Sequence, residues 1–202
     1  MDAAHKPCVI AFPAKVLAAE QPFGGHADPL VFSRAVAITA ASFERHGIEE
    51  VNFSFEGHKD SRRRGIRTLN HEELLQGDVS LEYVSRMMHR QYPNTPLFKK
   101  VLQTIWHQVN AGQEIYVIGK ILDDGTVKGG TGWGAEFAKL CNKPLFVFDQ
   151  ERDGWFRWTG REWAPESAPV IQHVHFTGTG TRSMEENGKK AIETLFQRSF
   201  AS

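Results

Sequence analysis

The sequence predicts an α/β domain: an open sheet of about five parallel strands with helices on both faces, plus a small antiparallel hairpin rich in tryptophan. Two observations carry this prediction. Short apolar runs fit for buried strands alternate with segments of helical periodicity, and such alternation implies parallel pairing through crossover helices. Glycine-rich turns also follow two of the strands, where an open parallel sheet holds its ligands. The length of 202 residues suits one core, so residues 1–202 read as a single domain.

The elements follow in order. Cys8-Val9-Ile10-Ala11-Phe12 is the first apolar run. Asp28 can cap a helix whose face is Phe32, Val36, Thr39 and Phe43, with Gly47 ending it. Val51 to Phe55 alternates apolar with polar and reads as a strand. Glu56 to Asn70 is polar and basic, and reads as a loop. Helices are expected near Leu81 to His89, and again where Phe98, Val101, Leu102, Ile105 and Val109 share one face before Gly112. Ile115 to Ile118 is a buried strand continuing to Leu122. Trp133, Phe137, Leu140 and Cys141 then fall on one helical face, and Pro144 opens the strand Leu145 to Asp149. Trp155 to Trp158 and Arg161 to Trp163 flank Thr159-Gly160 and suggest a hairpin. Val170 to Phe176 reads as the last strand, followed by a loop and a helix with Ala191, Ile192, Leu195 and Phe196 inward.

Composition narrows the function classes. The hydrophobic share is 41% and the charged share 24%, and 24 basic residues balance 24 acidic ones. That balance gives no bulk attraction for nucleic acid or an acidic membrane, so neither is an expected partner. The two cysteines, Cys8 and Cys141, make no metal-ligand or disulfide pattern and read as buried, reduced thiols. The first residues lack the apolar core of a signal peptide, and no run approaches the length that spans a bilayer. A cytoplasmic protein is the expectation. His173 and His175 alternate on one strand, but no third ligand stands at a useful spacing, so no metal and no cofactor are expected.

Two segments could do chemistry. Gly129-Gly130-Thr131-Gly132-Trp133-Gly134-Ala135-Glu136 leads from a strand into a helix. Glycines let a ligand approach the backbone closely, and a helix start offers N–H groups and a favourable dipole to an anion. Thr131 adds a hydroxyl, and Glu136, a turn further on, is placed to reach a sugar hydroxyl or a water. The second segment, Thr177-Gly178-Thr179-Gly180-Thr181-Arg182, combines hydroxyls, glycines and an arginine, which suits phosphate. Both segments are expected on one sheet edge around a shared nucleotide or sugar phosphate. Arg67, in the basic stretch with Arg62, Arg63 and Arg64, is a candidate phosphate clamp; the bland alternative is a solvated face. Asp123 or Asp124 could serve as a base, or form a plain Asp-Asp-Gly turn. Trp155, Trp158 and Trp163 could stack on a base, pack in the core, or support a homo-oligomer contact.

The glycine segment resembles the Gly-Gly-x-Gly-Thr-x-x-Glu signature of the LOG ("lonely guy") phosphoribohydrolases, long labelled lysine decarboxylase-like. These belong to the SLOG superfamily of Rossmann-like nucleotide-binding domains, together with the Smf proteins and the molybdenum cofactor carriers. The glycines and Glu136 keep the signature's spacing; Trp133 stands where that family has threonine, and Lys128 where it has proline. Lys143-Pro144 before an apolar strand is similar to the carrier branch, and Thr177 to Arg182 to the superfamily's phosphate loop. Nucleoside 2-deoxyribosyltransferases likewise place a glutamate on the helix after a Gly-Thr turn.

The resemblance implies a nucleotide-binding sensor or carrier. Its alternative is an enzyme cleaving an N-glycosidic bond, with Glu136 stabilising the sugar cation, Asp124 assisting as a base, and Arg182 and Arg67 holding phosphate. A third reading is a protein-interaction module built on the hairpin and the basic loop.

Overall fold

The computed structural model describes residues 8–10, 46–58, 64–92, 95–181 and 183–200. The helix expected after Asp28 lies outside them, as do Arg62, Arg63 and Arg182. The chain runs β1 (Cys8–Ile10), β2 (Glu49–Phe55), β3 (Ile66–Leu69), α1 (His71–Leu75), α2 (Asp78–Met87), α3 (Pro96–Ala111) and β4 (Glu114–Gly119). It continues with α4 (Thr131–Leu140), β5 (Leu145–Asp149), β6 (Gly154–Trp158), β7 (Trp163–Glu166), β8 (His175–Gly180) and α5 (Glu186–Phe200).

The strands form one 8-stranded sheet in the order β3-β2-β1-β8-β4-β5-β6-β7. Neighbours from β3 through β5 pair parallel. The β5–β6 and β6–β7 pairs are antiparallel. The sheet is therefore mixed, and the expected parallel body is one part of it. It also gains β3, a strand inside the stretch expected to be a loop. The Gly65 N-terminal to it has a positive φ of 61° and sits against the Glu50 carbonyl, so the chain turns tightly enough there for Ile66–Leu69 to pair with β2.

Strand alternation divides the core into two layers. Ile115 and Val117 of β4 pack with Leu102, Val109, Trp133 and Phe137 of α3 and α4. Tyr116 and Ile118 pack on the opposite face with Ala191, Ile192, Leu195 and Phe196 of α5. Helices thus cover both faces. Each fully buried aliphatic side chain in these layers contributes about 1.5–3 kcal/mol. α1 begins with a capping box between Asn70 and Glu73. α3 begins with Pro96 and ends at Gly112, where the Lys143 ammonium donates to the carbonyls of Val109, Asn110 and Gly112.

Two expectations on burial fail. Trp133 and Phe137 are interior, but Leu140 is exposed, and so is Cys141, a free thiol. α4 ends at Leu140, so the last positions of its apolar face leave the core.

The larger correction concerns β8. The expected strand Val170–Phe176 is displaced toward the C-terminus: Val170 and Val174 are exposed, and the strand is His175–Gly180. Thr177 to Gly180 are thus strand, not loop. The reason is position in the sheet. β8 pairs with β1 on one side and β4 on the other, so its interior residues are enclosed whatever their polarity. Thr177 (0% exposed) satisfies its hydroxyl by donating to the Gln108 carbonyl at 2.7 Å.

Candidate functional site

A cavity of about 390 Å³ opens at the carboxyl ends of β4 and β8. β1 leads to β2 on one side and β4 leads to β5 on the other, with β8 between them, so chain connections diverge here. That divergence leaves a crevice, the usual ligand position in open α/β sheets. One wall is apolar and comes from α3: Phe98, Val101 and Ile105. The floor is Gly129, Gly130 and Thr131, where the chain enters α4. The far wall is Thr179, Gly180 and Thr181, followed by Ser183 and Glu185. Lys120, Lys128, Gln150 and Glu151 complete the lining.

The glycines of the turn have different reasons to be glycine. Gly129 has a φ of 74°, which disfavours any side chain. A Cβ on Gly132 would stand 2.0 Å from the Val127 carbonyl oxygen, and one on Gly134 3.2 Å from Ile105 Cγ2 in α3. Gly130 has neither reason. Its φ is −63°, and a Cβ there would meet nothing within 4 Å. Fold and packing both tolerate a side chain at Gly130, and its position on the floor keeps the backbone bare toward the cavity.

The turn also carries unspent donors. The N–H groups of Gly132 and Trp133 donate to the carbonyls of Gly129 and Gly130. Those of Gly129, Gly130 and Thr131 find no acceptor among the described residues. Together with the α4 dipole they make a positive pole on the floor. Arg90 holds the turn from behind: its guanidinium donates to Thr126 Oγ1 at 2.9 Å and to the carbonyls of Val127 and Gly129. No sequence signal marks Arg90, which lies far up the chain in a segment without a motif.

The other expected site residues divide clearly. Gly129, Gly130, Thr131, Thr179, Gly180 and Thr181 line the cavity together. Thr177 faces α3 instead, and Gly178, beside it in β8, is not in the lining. Gly132 packs on Val127, and Trp133 is enclosed in the core beside Tyr92. Arg67 does not reach the cavity. It lies on the edge strand β3, ion-paired with Glu73 at 3.0 Å and set over the Phe53 ring. Asp124 forms a turn, accepting from the Thr126 N–H at 2.9 Å and the Thr126 hydroxyl at 2.7 Å. Those two bonds hold its carboxyl below the usual carboxylate range. The structure thus supports the turn alternative for Asp124 and gives it no place among the lining residues.

Glu136 is the main departure from expectation. Glu136 is 5% exposed and is absent from the cavity lining. It pairs with Lys139 Nζ at 2.8 Å, both side chains being buried. That ammonium also donates to the Gly125 carbonyl and lies 4.0 Å from the Trp158 ring centroid and 4.9 Å from that of Trp163. The Trp163 indole N–H donates to the same Gly125 carbonyl at 2.8 Å. Trp158 and Trp163 are therefore engaged in packing the hairpin onto α4, and Trp155 is buried on the other face against Tyr116 and Phe148.

Gln150 and Lys120 are cavity residues without a sequence signal. Gln150 is 9% exposed and bridges the end of β5 to the segment before α5. Its Nε2 donates to the Ser183 carbonyl, and its Oε1 accepts from the Glu185 N–H. Lys120 pairs with Glu151 at 2.5 Å, and this neighbour raises the ammonium's pKa. The described residues contain no helix long and apolar enough to cross a membrane and no group of three or more His, Cys, Asp or Glu placed to hold a metal. No protein-family model, curated protein or solved structure matches the chain.

Proposed function

We propose that this protein binds a nucleotide or a nucleotide-derived phosphate at the carboxyl edge of its sheet, as a sensor or carrier within a Rossmann-like domain of the SLOG type. The observation that carries the reading is Gly130: a glycine that neither dihedral nor packing requires, at the start of α4, on the floor of a cavity. A phosphate approaching that bare backbone explains it, since the unpaired N–H groups and helix dipole favour an anion there. Lys128 adds positive charge, and the hydroxyls of Thr131, Thr179 and Thr181 add donors. The α3 wall of Phe98, Val101 and Ile105 gives an apolar surface for a base or sugar.

The placement of Glu136 favours binding over cleavage. A carboxylate that stabilises a sugar cation must touch the sugar. Glu136 is instead closed off with Lys139.

The test is a thermal-shift and calorimetric screen with nucleoside mono-, di- and triphosphates and inorganic phosphate, on wild type and Gly130→Val. Binding to wild type that Gly130→Val abolishes supports the reading. A wild type that neither shifts nor binds with any of these ligands overturns it.

A further inference from the structure

Four charged residues line the cavity: Lys120, Lys128, Glu151 and Glu185. Lys120 and Glu151 neutralise each other as an ion pair. Lys128 and Glu185 have no side-chain partner among the described residues. Their positions are opposed in the architecture. Lys128 belongs to the glycine turn, beside the unpaired N–H groups at the start of α4. Glu185 belongs to the segment between β8 and α5. Among the described residues the cavity is therefore bipolar, with a surplus positive charge at the floor and a surplus acidic residue on the far wall.

That polarity specifies the ligand beyond its phosphate. An ionised carboxylate only accepts hydrogen bonds and repels a second phosphate. It needs donors from the ligand's other end. Its two oxygens match the two O–H groups of a vicinal diol, and such bonds to an ionised acceptor are the stronger kind.

The position of Glu185 is also built rather than incidental. Its N–H donates to Gln150 Oε1 at 2.7 Å, and Asn187 Nδ2 donates to the Gln150 carbonyl at 2.9 Å. Gly188 lies so close that a Cβ there would stand 2.5 Å from Gln150 Oε1. The buried Gln150 side chain thus clamps the start of α5 onto the end of β5 and holds the Glu185 backbone at the far wall of the cavity. Resting on the phosphate-ligand reading above, we infer that Glu185 accepts the hydroxyls of the ligand's ribose, so that the site selects ribonucleotides over 2′-deoxyribonucleotides.

Calorimetric titration of ribonucleoside 5′-monophosphates, their 2′-deoxy counterparts and inorganic phosphate tests this, using wild type, Glu185→Gln, Glu185→Asp and Lys128→Met. Wild type is expected to bind the ribo form about tenfold more tightly than the 2′-deoxy form, the range of a hydrogen bond to a charged group. Glu185→Gln should weaken ribo binding more than 2′-deoxy binding, which keeps only the 3′-hydroxyl, so that the ribo to 2′-deoxy ratio shrinks, and should not weaken inorganic phosphate binding. Glu185→Asp should fall between the two. Lys128→Met should weaken every ligand, phosphate included, and preserve the ribo to deoxy ratio. Equal wild-type affinities for the two sugars overturn the inference while leaving the phosphate reading intact. So does a Glu185→Gln effect of equal size on both sugars, or tighter binding of both, which would reduce Glu185 to a source of repulsion. A wild type that binds neither the nucleotides nor inorganic phosphate sinks the phosphate reading and this inference together.

Discussion

The two halves of α4 are built from one short sequence and treated in opposite ways. At its start, Gly129, Gly130 and Thr131 face a cavity with amide donors that no protein group takes among the described residues. One turn on, Glu136 and Lys139 are buried and mutually satisfied, closed in by Trp158, Trp163 and the Gly125 carbonyl. The first half has polar capacity left over, and the second has none. Unspent capacity beside open space marks a place for a ligand, whereas a saturated buried pair marks a place for stability. The resemblance to nucleotide hydrolases implies one shared role for both halves. The structure gives the two halves different surroundings.

Breaking the saturated half should have the largest effect on stability. Lys139→Met leaves the Glu136 carboxylate buried without its partner, and loss of one member of a buried pair costs about 3–5 kcal/mol. Denaturant unfolding would show the drop, while ligand affinity of the protein that remains folded should stay within about twofold, a change of only a few tenths of a kcal/mol. Glu136→Gln is expected to behave the same way. A Glu136→Gln protein of unchanged stability that loses ligand binding would return Glu136 to the site.

Breaking the open half should invert the pattern. Gly130→Val adds a side chain to open space at a φ that valine adopts, so stability should change by no more than about 0.5 kcal/mol. The ligand should lose at least about tenfold in affinity, or about 1.4 kcal/mol, because the side chain displaces it from the amides. Between the two lies Arg90→Met, which removes the bonds to Thr126, Val127 and Gly129. It should lower stability by about 1–3 kcal/mol, since these are hydrogen bonds to a charged group, and weaken binding as the floor loosens. Unfolding and calorimetry on one preparation would separate the two effects.

The smallest effect concerns pH. The folded-state pKa of Asp124 is depressed by its bonds from Thr126. Its contribution is therefore present above the unfolded value of about 3.9 and is lost as pH falls through the lower folded value. Asp124→Asn should therefore lower stability slightly near neutrality, flatten that part of the acid limb, and converge with wild type as pH falls. An unaltered acid limb would show that the turn does not depend on the ionised carboxylate.

Much of this architecture is legible in the sequence, for physical reasons. Glu114–Gly119 and Leu145–Asp149 are buried on both faces, and such strands must be apolar almost throughout. The hairpin announces itself through Thr159-Gly160 between aromatic runs. The glycine turn is legible because glycine is a poor helix former, so its repetition where a helix begins points to a demand on the backbone itself.

β8 is not legible. Thr177-Gly178-Thr179-Gly180 has the composition of a loop, and only its enclosure between β1 and β4 makes it a strand. Glu136 is misread for a related cause. Its i+3 partner Lys139 is visible in the sequence, but on an exposed helix that pair would be worth little. It is decisive here because the hairpin returns from residues 154–166 to bury it. Arg90 and Gln150 act through contacts made only in three dimensions, and no local pattern reports them.

The placement of β8 has a consequence for how the molecule assembles. Residues 175–180 occupy the gap between a strand at residues 8–10 and another at residues 114–119. Until that segment exists and docks, the left and right portions of the sheet have no edge in common, and the cavity has no far wall. Pairings of such long sequence separation form slowly, because the chain must close large loops before any contact rewards it. During synthesis the crevice is therefore among the last features to appear, and a nascent chain that has already built the glycine turn still lacks the wall opposite it.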